Sequence, residues 1–95
     1  MTAFIVYTRK STKDRAELAS YSQLAGSTFA GHPVTPLALY GRQEVLEGAA
    51  VEGIALLEFP TFDDAKAWYD SPAYRAAREH RFKGADYSVV IVEGV

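Results

Sequence analysis

The sequence predicts an α+β domain of the ferredoxin-like βαββαβ kind, in which four antiparallel strands form a sheet with helices on one face. Three observations lead to that fold class. Four short runs rich in β-branched and aromatic residues are bounded by turn formers. Apolar residues recur at helical steps after the first run and again after the third. The 95 residues suffice for one hydrophobic core and not for two, so residues 1–95 are read as a single domain.

The first strand is placed near residues 3–9, in "TAFIVYTR", where the polar run Lys10, Ser11 and Thr12 follows. From Lys13 onward Leu18, Tyr21, Ala25 and Phe29 fall on one helical face. Gly31 and Pro33 end that helix. "VTPLALYG" reads as the second strand, and Pro36 argues for a sheet edge because it has no N–H for a ladder. "QEVLEG" either continues that strand or begins a short hairpin arm. "EGIALLEFP" is the third strand, and Thr61 with Asp64 three residues on is a carboxylate variant of a capping pair that starts the second helix. Phe62, Ala65, Trp68 and Tyr69 give that helix its apolar face until "DSP" interrupts it. A further helix runs from Pro72 to about Lys83, with Gly84 at its end, and "ADYSVVIVEG" is the last strand.

Composition narrows the function. Hydrophobic residues at 48% and charged residues at 23% are ordinary values for a chain that folds throughout. A formal charge of -2 supplies no footprint for a polyphosphate backbone, so no nucleic-acid partner is expected. The lack of cysteine removes disulfides, thiolate metal sites and thiol nucleophiles. No charged leader precedes the first strand and no apolar run approaches the ~20 residues of a membrane span, so a cytoplasmic protein without a membrane partner is expected. Phosphate-binding glycine loops are absent, since "GRQEVLEG" has neither a Walker lysine nor paired glycines.

The strands carry a further message. Ile54 and Leu56 point one way while Ala55, Leu57 and Phe59 point the other, and the first and last strands are likewise apolar on both faces. Two short helical segments cover one face only. The other would expose more apolar area than monomers usually tolerate, which predicts a homodimer packed sheet against sheet.

Candidate functional residues concentrate in "WYDSPAYRAAREHRF", residues 68–82. Ser71 followed by Pro72 is first of all a helix start, and no G-x-S-x-G elbow surrounds the serine to activate it. Steps of about 100° put Tyr74, Ala77, Arg78, Arg81 and Phe82 in one sector facing the sheet. A guanidinium there needs a carboxylate or an anionic ligand. One reading pairs Arg81 with Glu58 or Glu93 and fastens helix to sheet. The other makes Tyr74, Arg78 and Arg81 a pocket for the carboxylate or enolate of a small molecule, with Tyr74 as hydrogen-bond donor or acid and Glu58 or Glu47 as base. His80 falls at the edge of that sector and His32 in a Gly-His-Pro loop, without the spacing of a metal or haem site. No metal or cofactor is therefore expected.

Glu47-Gly48, Glu58-Phe59-Pro60, Ala65, Trp68-Tyr69, Ser71-Pro72, Tyr74, Arg81 and the closing "VVIVEG" from Val89 to Gly94 together resemble the small bacterial proteins known as the domain of unknown function 1330 family, within the dimeric α/β barrel superfamily. The resemblance covers nearly the whole chain. It implies a ferredoxin-like subunit whose sheet packs on that of its twin. It also implies an Arg-Gly-Gly at the end of the second strand, where this sequence reads Tyr40-Gly41-Arg42. Either Arg42 reaches the family's pocket from a shifted position or the site has changed. No reaction is implied, because the superfamily includes cofactor-independent monooxygenases, isomerases, cyclases and haem enzymes, and such chemistries belong to sites rather than to folds.

Overall fold

The computed structural model describes every residue from Met1 to Val95. Strand β1 (Ala3–Thr12) leads to helix α1 (Arg15–Ala25) and a 3-10 turn (Gly26–Phe29), then to strands β2 (Thr35–Leu39) and β3 (Gly53–Phe59). Helices α2 (Phe62–Tyr69) and α3 (Pro72–Gly84) precede strand β4 (Ala85–Glu93). The four antiparallel strands lie in the order β2-β3-β1-β4, the ferredoxin-like arrangement expected. Pro36 lies on the edge strand β2, where the register shifts between Pro36 and Ala38. Residues 43–48 form neither a continuation of β2 nor a hairpin arm. Gly48, Gln43 and the two glutamates Glu44 and Glu47 give that stretch little to bury.

Local chemistry accounts for the helix starts. Asp14 caps α1 by accepting from the backbone N–H groups of Ala16 and Glu17, so this helix begins two residues later than the expected Lys13. Thr61 caps α2 through the Asp64 N–H at 3.0 Å. Ser71 caps α3 through the Tyr74 N–H at 3.3 Å, and its own hydroxyl donates to the Trp68 carbonyl at 2.8 Å. The serine-proline break is therefore a helix junction that turns α3 against α1. At the far end of α3 the Gly84 carbonyl accepts from Lys13 and Asp14. A Cβ at Gly84 would lie 2.9 Å from Leu18 Cγ, so the approach of the two helices requires glycine there.

All three helices lie on one side of the sheet, giving a slab of 31 × 31 × 17 Å. Ala3, Ile5 and Tyr7 of β1 and Ala55, Leu57 and Phe59 of β3 face the helices and are buried against Trp68, Tyr74 and Ala77. Phe4, Val6, Ile54, Leu56, Val90 and Val92 alternate with them on the other face. Leu56, Val6 and Val90 are register partners and make one apolar row across three strands. No helix of the chain is long and apolar enough to cross a membrane.

Candidate functional site

The helix-covered face of the sheet does not pack solid. Between the sheet and α1 lies a cavity of about 240 Å3, lined mainly by Tyr7, Tyr21, Phe29, Tyr40, Leu57 and Trp68. Its wall is apolar apart from Ser22 and the tyrosine hydroxyls. An engineered cavity of ~150 Å3 holds benzene, and pockets for drug-sized ligands run from ~300 Å3 upward. The space suits a molecule of one ring or a short chain.

Behind that wall the polar groups gather. The chain has 6 tyrosines, spread from Tyr7 to Tyr87, and the fold draws all of them into one cluster. Tyr74 Oη is the hub, sharing hydrogen bonds of 2.7 Å with both Tyr7 Oη and Tyr21 Oη. Tyr40 Oη and Tyr87 Oη share another at 2.8 Å, and Tyr69 Oη accepts from Arg81 Nη2 at 3.2 Å. The Tyr74 ring stacks on Trp68 with centroids 4.0 Å apart. The indole N–H of Trp68 donates to the buried Thr28 hydroxyl at 3.1 Å.

Arg81 is the charge in this cluster. It is 2% exposed, and no carboxylate lies within ion-pair distance. The expected pair with Glu58 or Glu93 is not formed. Glu58 stands opposite Phe4 on the open face and Glu93 opposite Ala3, both at the far end of the sheet from Tyr87. Aromatic rings surround the guanidinium instead: Cζ lies 5.0 Å from the Phe82 and Tyr87 centroids, 5.6 Å from Tyr7 and 6.0 Å from Tyr21. Such contacts contribute ~0.5 to 2 kcal/mol each, a fair part of the several kcal/mol that desolvating a cation costs. Nε remains buried without a partner.

Electrostatics divides the phenols. Burial pushes Tyr7, Tyr21 and Tyr40 far above the ordinary range. Burial also raises Tyr74, but hydrogen bonds from Tyr21 and Tyr7 and the nearby Arg81 cation work against it. Of the four raised phenols, Tyr74 is the one whose neighbours most favour negative charge on its oxygen. Burial alone would lower the Arg81 pKa, yet the oxygens of Tyr74, Tyr21, Tyr69 and Tyr7 outweigh it, and the net shift is upward. The guanidinium stays charged.

Tyr40 stands at the mouth of the cavity. Its φ of 56° lies in the left-handed region, uncommon for a residue with a side chain. The ring lies so close over Gly53 that a Cβ there would meet Tyr40 Cδ1 at 2.7 Å, and the Arg9 guanidinium sits 4.9 Å from its centroid. Arg9 in turn lies 3.3 Å from Glu52. A strained residue held from three sides is a built feature rather than a loose strand end.

The family model for Domain of unknown function (DUF1330) matches residues 2–95. The chain belongs to that family. Among solved structures, this DUF1330 chain is similar to a protein of unknown function from Rhodopseudomonas palustris, with a TM-score of 0.78, 16% identity and coverage of 99% of this chain and 82% of that one. It is similar to a dimeric protein of unknown function and ferredoxin-like fold from Bacteroides fragilis, with a TM-score of 0.70, 16% identity and coverage of 98% and 96%. It is also similar to SnoaB, a cofactor-independent oxygenase from Streptomyces nogalater, with a TM-score of 0.67, 12% identity and coverage of 99% and 93%. None of the curated proteins matches the chain. At these identities the solved structures show the fold alone.

Of the residues singled out in the sequence, this DUF1330 fold brings Tyr74 and Arg81 into one cluster. Arg78 sits on the outer side, donating to the Tyr69 carbonyl at 3.0 Å, 3.8 Å from Asp70 and 4.5 Å from the Tyr69 centroid. Phe82, expected to face the sheet, is 47% exposed. Ser71 spends its hydroxyl on the helix junction. Arg42 and Glu47 stand exposed in the segment after β2, and neither lines the cavity. His80 Nδ1 meets Glu17 Oε2 at 2.6 Å, tying α3 to α1. Tyr7, Tyr21, Tyr40 and Tyr87 were missed as site residues. Inward alternation in the first strand and the tyrosine in place of the family's arginine were the available signals.

Proposed function

We propose that this chain works as a homodimer in which each subunit holds a small, mainly apolar, carbonyl-bearing or anionic metabolite in the cavity between sheet and helices, without a cofactor. The observation that carries the reading is the cavity itself: an apolar space of about 240 Å3 whose hydroxyls all belong to one tyrosine cluster, apart from that of Ser22, with a charged arginine behind. A ligand oxygen near Tyr7, Tyr21 or Tyr40 meets phenols already polarised by their neighbours, and negative charge developing there is stabilised by Arg81 in a low-dielectric setting. Tyr74 is then a proton relay acting through Tyr7 or Tyr21. The arrangement suits steadying the oxygen of an enol or enolate while the α-proton passes to solvent at the open mouth, since the lining offers no base of its own, and the cofactor-independent oxygenase that shares the fold supports this by analogy. Glu58, Arg78, Arg42 and Ser71 have no part in this reading, for the reasons of position given above.

The dimer rests on the open sheet face. Its row of Leu56, Val6 and Val90 is what a second sheet would cover, and the Bacteroides fragilis relative is dimeric. Sedimentation equilibrium should give twice the chain mass for the wild type and the single mass for Leu56→Asp; a wild-type monomer would sink the dimer.

A second reading, binding without catalysis, is favoured by one observation: no carboxylate or histidine lines the cavity, and three of its phenols spend their hydroxyls on other tyrosines. Thermal shifts against a panel of keto, phenolic and carboxylate compounds test both. A ligand at 100 times its Kd should add ~2.7 kcal/mol of stability, several degrees in Tm for a domain this size. Deuterium entering the α-carbon of a bound ketone, seen by NMR and lost in Tyr74→Phe, establishes catalysis. Binding without exchange leaves the second reading, and a panel with no hits contradicts both.

A further inference from the structure

A second opening adjoins the cluster. Arg81 also lines a crevice under the C-terminal end of α3, with Lys13, Tyr69, Asp86 and Tyr87 among its other walls. A buried cation with an unpartnered Nε and no carboxylate partner therefore stands at an accessible recess. Lys13 adds a second positive group and Asp86 one negative group, which leaves the recess cationic.

One layer of side chains divides this crevice from the apolar cavity. Arg81 Cζ is 5.6 Å and 6.0 Å from the rings of Tyr7 and Tyr21, both of which line the cavity. It is 5.0 Å from Tyr87, whose hydroxyl meets that of Tyr40 at 2.8 Å, and Tyr40 lines the cavity too. Tyr7 and Tyr21 are buried, whereas Tyr40 is 37% exposed and Tyr87 half-buried. The least buried part of the partition is thus the Tyr40–Tyr87 pair.

Building on the small-molecule reading above, we infer that the cavity and the crevice are two ends of one site, and that its ligand is a small acid. An apolar ring or chain fills the cavity, and a carboxylate reaches past the Tyr40–Tyr87 pair to Arg81. A planar carboxylate matches the fork of a single guanidinium, and four of the five N–H donors of Arg81 are without a bond here.

Calorimetry with 3-phenylpropionate, its neutral counterpart 3-phenylpropan-1-ol, and acetate tests this. The acid should bind at least about ten-fold tighter than the alcohol, and acetate much more weakly than either. Arg81→Met should bring the acid down to the alcohol's affinity while the alcohol is unchanged. If that variant does not fold, Lys13→Gln, a change at an exposed residue, should weaken the acid by a few-fold and leave the alcohol alone. Equal binding of acid and alcohol overturns the inference and leaves the apolar cavity standing. Acetate binding as tightly as 3-phenylpropionate overturns the single site. Failure of all three to bind removes the small-molecule reading itself.

Discussion

The two faces of the sheet are built from the same strands and differ in almost everything else. Leu57 of β3 is buried under the helices, whereas Leu56 beside it faces away from them in the row with Val6 and Val90. The covered face carries the costly groups: four phenols held above their ordinary range and a cation without a counterion. The open face carries mainly apolar side chains, with Glu58 opposite Phe4 at one end, and no comparable cluster. Hydrophobic burial alone would be served as well by an apolar filling on both sides. The proposed site lies on the face that bears the polar burden, and the proposed dimer contact on the plain one.

Neighbouring residues give the largest test of that contrast. Leu57→Ala should cost about 2 to 5 kcal/mol in urea unfolding, whatever the protein concentration, because it opens a void in the subunit core. Leu56→Ala should cost less at high concentration and show a midpoint that moves with dilution, as for a residue whose burial depends on a partner copy. Equal, concentration-independent losses would erase the difference between the faces.

Within the covered face, Tyr74→Phe removes the hub and leaves the Tyr7 and Tyr21 hydroxyls without their partner. An unpaired buried hydroxyl costs ~1 to 3 kcal/mol, so with two left unpaired the loss should be about 2 to 6 kcal/mol for one deleted oxygen. A value below about 0.5 kcal/mol in chemical denaturation would show that the three phenols do not depend on one another. Ser71→Ala is the smallest change, expected near ~1 kcal/mol for a lost N-cap. Since the same hydroxyl also bonds Trp68, the variant should retain the ligand response of the wild type while melting a few degrees lower.

Much of the fold was legible because its signals are local. Thr61 and Ser71-Pro72 announce their helices within four residues, Pro36 marks an edge, and alternation in β1 and β3 assigns each side chain to a face. The site was legible only in part. Helical spacing was enough to bury Tyr74 and Arg81, but angle on a wheel says nothing of what stands opposite. The sequence suggested a carboxylate for Arg81, whereas strand register sends Glu58 and Glu93 to the far end of the sheet and brings Tyr7 and Tyr87 instead. Tyrosines 80 residues apart meet only once the sheet is assembled, and each taken singly looked like ordinary core.

These phenols form one buried cluster whose protons belong to the folded state. Burial raises Tyr7, Tyr21, Tyr40 and Tyr74 above the ordinary phenol value of about 10 when folded. Above that pH the native chain holds protons that the unfolded chain has lost, so stability is intact below about 10 and falls as pH rises beyond it. Each of the buried phenols Tyr7 and Tyr21 contributes up to ~1.4 kcal/mol per pH unit, so the two together remove ~3 kcal/mol per unit, with smaller additions from Tyr74 and the partly exposed Tyr40. Against a usual total of ~5 to 15 kcal/mol, the fold should fail within a few units above pH 10. Absorbance at 295 nm and circular dichroism, followed together through alkaline titration, make the direct measurement. The expected result is that these four phenols resist ionisation near pH 10 and then ionise in one step coincident with unfolding. Gradual ionisation of all the tyrosines around pH 10, with the circular dichroism of the native fold unchanged, would contradict it.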